Sequence, residues 1–75
     1  MEQNTTGLRL FKLSWYLQIE ERMIEKWITR EDKANEQYNE VRGSLDRGCW
    51  ISLVEYNEDE NNELILGETL HYCDI

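Results

Sequence analysis

The sequence predicts an α+β domain: a four-stranded antiparallel sheet, in β-β-α-β-β order, with one helix packed on one face. Three observations predict it: a strictly alternating segment near the start, one amphipathic segment in the middle, and two apolar runs separated by a polar tract at the end. A chain of 75 residues can enclose one hydrophobic core but not two. We therefore expect a single domain, 1–75, with 1–7 as a flexible N-terminus.

The first hairpin is predicted from the alternating segment 11–19. The apolar residues expected on one face are Phe11, Leu13, Trp15, Leu17 and Ile19. Glu20 and Glu21 then interrupt the alternation, and 22–29 is rich in the β-branched and aromatic residues typical of a return strand. Residues 14–28 also fit an amphipathic helix, and the turn contains no Gly or Asn. The sequence leaves that alternative open.

A helix is predicted to begin near Arg30. Thr29 with Asp32 three residues later resembles a capping box, and acidic residues in a first turn favour the helix dipole. An apolar stripe with helical spacing follows, formed by Ala34, Tyr38, Val41 and Leu45. Gly43 and Gly48 mark the exit from the helix.

The second hairpin is predicted from strands at 49–56 and 63–73, joined by a polar loop, with Tyr56 placed near Glu63. The first of these strands is apolar on both sides: Cys49, Ile51 and Leu53 on one, Trp50, Val54 and Tyr56 on the other. One helix covers only one side of a sheet. We therefore expect one set to be partly exposed, and exposed apolar patches of this kind mark interaction surfaces.

The formal net charge of −8 is concentrated near the end of the chain. Residues 1–47 contain nine acidic and eight basic residues, whereas residues 48–75 contain seven acidic residues and no basic one. Binding to DNA, RNA or anionic membranes requires clustered Lys and Arg, so this balance argues against all three. It favours a larger protein with a basic surface as the partner.

These features predict a small acidic inhibitor or modulator that binds another protein. In this hypothesis the carboxylates imitate phosphates in a basic nucleic-acid-binding groove, and two aromatic residues anchor the contact. The predicted partner-binding residues are Glu55, Glu58, Asp59, Glu60, Glu63, Trp50 and Tyr56. Such a protein fits a virus- or phage-encoded inhibitor of a nucleic-acid-handling defence system, an anti-CRISPR protein included. The alternative is a structural or regulatory subunit that self-associates, as a homodimer for instance, through the uncovered sheet face.

No catalytic residue, metal site or cofactor is predicted. Cys49, His71 and Cys73 could meet on neighbouring strands, but a structural zinc site takes four ligands, so Asp74 would have to complete it. No phosphate-binding glycine loop and no hydrolase or zinc-protease motif is present. Two cysteines do not make a disulfide framework, and the sequence contains neither a membrane-spanning run nor a secretory signal. We expect a cytoplasmic protein, in the host cytoplasm if it is viral.

Overall fold

The computed structural model describes residues 9–75 and shows a four-stranded antiparallel sheet with one helix. In chain order the elements are β1 (Arg9–Leu17), β2 (Arg22–Ile28), α1 (Glu31–Arg42), β3 (Trp50–Glu58) and β4 (Leu64–Asp74). The strands lie in the order β2-β1-β3-β4, so β1 and β3 are central. The predicted α+β class and β-β-α-β-β order are confirmed. The flexible N-terminus predicted at 1–7 lies outside the described residues.

The first hairpin is formed by strands, which decides against the helical alternative for 14–28. Its turn begins at Gln18, whose carbonyl accepts a hydrogen bond from the Glu21 N–H at 3.2 Å. Glu21 takes a φ of 53°, the left-handed conformation that closes the turn without a glycine. The placement of Ile19 on the inner face is wrong: the side chain is 88% exposed, because the chain leaves the sheet after Leu17.

Helix α1 begins one residue later than expected, with Arg30 in the extended N-cap position. The predicted capping box is wrong, because no side chain caps this end of the helix. The Asp32 carboxylate instead accepts two hydrogen bonds from the Arg30 guanidinium, at 3.2 and 2.8 Å. Desolvation alone would raise the pKa of Asp32, but hydrogen bonds from the Lys33 N–H and the Arg30 guanidinium outweigh it and lower that pKa.

The core lies between α1 and the two central strands. Its buried members are Phe11, Leu13, Ile51 and Leu53 from the sheet and Ala34 and Tyr38 from the helix. Val41 packs against this cluster, which confirms the predicted apolar stripe as far as the helix extends. Leu45 also packs there, but from the segment after the helix, which ends at Arg42, so its placement on the helical stripe is wrong. Burying one large apolar side chain contributes about 1.5–3 kcal/mol, so these few residues carry most of the stability of so small a chain.

In the second hairpin both strands begin one residue later than predicted, and the register differs. Strand β3 continues to Glu58, and Tyr56 pairs with Leu66, so the predicted pairing of Tyr56 near Glu63 is wrong. The register shifts twice, between Leu53 and Val54 and between Val54 and Tyr56, where β4 carries one extra residue each time. Such bulges are not visible in an alternation pattern, because each one moves the following side chains to the opposite face.

Helix α1 is 12 residues long and polar over most of its surface. Within residues 9–75 there is no helix with the length and apolar character needed to cross a membrane.

Candidate functional site

The sheet has two chemically different faces. On β1 the side chains of Phe11 and Leu13 point into the core beneath α1, so the alternate positions point away from the helix. We call this second side the open face. Through the strand register it carries Tyr16, Met23, Trp27, Trp50, Val54, Tyr56, Leu66 and Tyr72. Five of the eight aromatic residues of the chain therefore lie where no helix covers them.

Three aromatic rings, Tyr16, Trp50 and Tyr72, form a row across β1, β3 and β4; we call them the aromatic ladder. Neighbouring ring centroids are 6.3 Å apart in both pairs, with interplanar angles of 12° and 19°. The Tyr72 hydroxyl donates a hydrogen bond to Asp74 Oδ1 at 3.0 Å. This bond is the main cause of the raised pKa of Tyr72, since ionisation would place a phenolate beside a carboxylate.

A second aromatic group on the open face already contains a cation. Trp27 and Tyr56 meet edge to face, with centroids 5.2 Å apart and an angle of 64°. Lys12 Nζ lies 5.8 Å from each of the two ring centroids and 3.2 Å from a carboxylate oxygen of Glu25. The ammonium is therefore satisfied within the protein by two rings and one carboxylate.

The structure separates the acidic residues that the sequence groups together. Glu55 lies on the helix side of β3, where its carboxylate is bound by Arg9 and only 15% of the side chain is exposed. Arg9 also lies 3.3 Å from Glu31 on the helix, and the hydrogen bond to Glu55 raises the pKa of the guanidinium. Glu55 thus lies on the opposite side of the sheet from Trp50 and Tyr56.

Asp59 shapes the loop of the second hairpin. Its Oδ1 accepts hydrogen bonds from the backbone N–H groups of Asn61 and Glu63, both at 2.9 Å, and Asn62 takes a φ of 64°. Glu58 ends β3 on the open face, while Glu60 and Glu63 are exposed in the loop. We call Glu58, Glu60 and Glu63 the acidic tip.

The cations lie almost entirely on the other side of the sheet. Among residues 9–75, Lys12 is the one Lys or Arg on the open face. Arg9, Arg22 and Lys26 occupy helix-side positions on the two first strands. The remaining four belong to α1 or to the segments that flank it.

The open-face residues absent from the sequence-based site include Met23, Trp27, Tyr72 and Asp74. Trp27 and Tyr72 carry no distinguishing motif, and only the pairing of four strands brings them beside Tyr56 and Trp50. The period-2 positions of β1 could have indicated Lys12 as a member of this face.

The Cys and His side chains that were considered as zinc ligands make structural contacts instead. His71 stacks on Tyr38 at 4.8 Å, and its Nε2 lies 2.9 Å from Asn35 Oδ1, which accepts a hydrogen bond from it. Cys49 and Cys73 are free thiols, and the Cys49 backbone carbonyl accepts a hydrogen bond from the Ile75 N–H at 2.9 Å. In the part of the chain that the structure describes, no group of three or more His, Cys, Asp or Glu side chains could hold a metal ion.

One cleft lies between the first turn and the segment after α1. Its volume is about 160 Å³, and Leu17, Ile19, Leu45, Arg47 and Cys49 are among its lining residues. Pockets that enclose a drug-sized ligand measure roughly 300–1,000 Å³, so this cleft is too small to serve as one.

Comparison with protein-family models, with curated proteins and with solved structures finds no significant match for this chain.

Proposed function

We propose that this protein binds a larger protein through its open face and its acidic tip, and thereby blocks or modulates that partner. The observation that carries the proposal is the uncovered aromatic face. A 75-residue chain needs most of its large apolar side chains for its core. Here Trp27 and Tyr72 are instead 49% and 58% exposed, on a face rich in Tyr and Trp, the residues that dominate binding energy at protein interfaces.

Charge indicates a basic partner. The acidic tip and Asp74 lie at the ends of the hairpin formed by β3 and β4, and residues 48–75 contain no Lys or Arg to offset them. An acidic rim around an aromatic centre speeds the encounter with a positively charged surface and disfavours acidic partners.

An aromatic sheet face is also typical of proteins that bind single-stranded nucleic acid by stacking on its bases. Those proteins add cations along the path of the phosphates. On the described open face the single cation, Lys12, is already held by Glu25, Trp27 and Tyr56. A protein partner fits this face better than a nucleic acid.

The more specific proposal is that the partner is itself a nucleic-acid-binding protein. The acidic tip would occupy its basic groove in place of phosphates, as expected of a virus- or phage-encoded inhibitor of a defence system such as a CRISPR effector. The loop supports this reading because the two backbone hydrogen bonds to Asp59 fix its shape, so the tip carboxylates are presented with little loss of entropy on binding.

The test is capture of partners from a bacterial lysate by the immobilised protein, washed at increasing salt. The variant Glu58→Gln/Glu60→Gln/Glu63→Gln should lose a partner that the wild type retains at low salt and releases at high salt. The variant Glu31→Gln/Glu36→Gln/Glu40→Gln removes the same charge from α1 and should retain it. Equal capture by both variants, or capture unaffected by salt, would contradict the proposal.

A second candidate function is self-association. It is favoured by β4, an edge strand of 11 residues in which Leu64, Ile65 and Leu66 are exposed. Against it, β4 carries Glu68 and Asp74, and charged residues on an edge strand disfavour edge-to-edge pairing. Light scattering after size exclusion distinguishes self-association from binding of a separate partner. A concentration-dependent dimer or larger species would show that the exposed surface binds a second copy of this protein.

A further inference from the structure

Both aromatic groups of the open face combine aromatic rings with a carboxylate, but only one of them contains a cation. At one end two rings and the carboxylate of Glu25 surround the Lys12 ammonium. At the other end the aromatic ladder lies beside the carboxylate of Asp74, which pairs across the strands with Trp50. Within residues 9–75 no Lys or Arg side chain lies over the ladder rings.

We infer that the aromatic ladder and Asp74 form a binding site for the guanidinium group of an arginine side chain. The inference rests on the proposed function, because the arginine is supplied by the basic protein partner. The Lys12 site is the counterpart of this proposed site within the chain. In both, a cation is bound by aromatic rings and one carboxylate, but in the proposed site the cation comes from the partner.

The shape of the site favours arginine over lysine. The ladder rings are nearly parallel, and a planar guanidinium can stack on a ring face that the neighbouring rings leave uncovered while its edge donates hydrogen bonds. One oxygen of Asp74 accepts from the Tyr72 hydroxyl, which leaves the other oxygen for N–H donors. The exposure of Tyr72 gives a side chain access from solvent.

Charge complementarity agrees with this occupant. The β3–β4 hairpin that supplies Trp50, Tyr72 and Asp74 contains acidic residues and no basic one. A neutral apolar group would bury the Asp74 carboxylate without a partner, which costs free energy, whereas a guanidinium pairs with it.

The experiment compares two capped peptides, hexaarginine and hexalysine, which carry equal charge. Titrations are followed at low salt by the NMR signals of the three tryptophan indole N–H groups. Hexaarginine should shift the Trp50 signal and bind about three times more tightly than hexalysine, or better, since the planar guanidinium gains a stacking contact that the ammonium makes less well, and such a contact on an exposed ring contributes about 0.5–1 kcal/mol. Asp74→Asn should weaken hexaarginine binding.

Three variants control for folding and location. Trp50→Leu should abolish the preference for arginine, and Trp50→Phe, which keeps a ring face, should restore most of it. Trp27→Leu removes an equally large side chain from the group that already holds Lys12, so the preference should persist. Circular dichroism identifies any variant that fails to fold.

Equal affinity for both peptides, or no binding of either, would overturn the inference. Equal, salt-sensitive binding of both would leave the basic partner of the proposed function standing. Conversely, a preference for arginine at Trp50 combined with lysate capture that ignores salt and the acidic tip would contradict the proposed function alone.

Discussion

The helix side and the open face of the sheet are built from alternate residues of the same strands, yet they are stabilised differently. On the helix side, Leu53 is fully buried and Glu55, two residues on, is paired with Arg9. On the open face, Val54 and Tyr56 come from the same stretch of β3 and stay partly exposed among other side chains of the sheet. The comparison shows that burial is concentrated on one face, whereas the other face leaves large side chains partly exposed.

The largest expected effect comes from neighbouring positions on β3. Leu53→Ala should lower the free energy of unfolding by about 2–5 kcal/mol, because it opens a cavity in a core formed by few residues. Val54→Ala removes a side chain from the open face and should cost less than about 1 kcal/mol. Urea unfolding measures both. Equal losses would show that the two faces contribute alike to the free energy of unfolding.

A smaller loss of stability is expected from a substitution in the bulged part of β4. A Cβ at Gly67 would lie 2.7 Å from the backbone oxygen of Glu55, so Gly67→Ala should cost about 1–3 kcal/mol. Gly43 is the matched control: it has a helical conformation, and the nearest atom to an added Cβ is 3.5 Å away. Gly43→Ala should leave stability unchanged or raise it slightly. A larger loss of thermal stability for Gly43→Ala than for Gly67→Ala would show that the bulge does not require a glycine.

The smallest effect concerns the pH dependence of the open face. The hydrogen bond to Asp74 raises the pKa of Tyr72 in the folded protein, so its contribution to stability is present below the ordinary tyrosine pKa. That contribution is lost as the pH rises through the raised value. Asp74→Asn should move the Tyr72 pKa down towards its ordinary value, as followed by NMR of the ring carbon that bears the hydroxyl. Tyr56 serves as the internal reference, and an unmoved Tyr72 would exclude the hydrogen bond.

The candidate site was only partly predictable. Trp50, Tyr56 and the acidic tip could be identified because aromatic and acidic residues in one hairpin are visible in the sequence. The pairing of Glu55 on the helix side could not be identified from the sequence, since it depends on Arg9, which is 46 residues earlier and lies on the adjacent strand. Asp59 likewise has the sequence context of a free carboxylate, whereas in the structure it accepts two backbone hydrogen bonds within the loop.

The order of the elements, the helical stripe and the excess of acid near the end follow from the sequence, because each depends on residues that are close together in the chain. The identity of the central strands, the positions of the β4 bulges and the contacts between rings depend instead on the tertiary fold. Register depends on contacts between residues far apart in the chain, and a single extra residue reverses every side chain that follows. For this reason the open face, with its ladder and its internally bound Lys12, became visible only once four strands were paired.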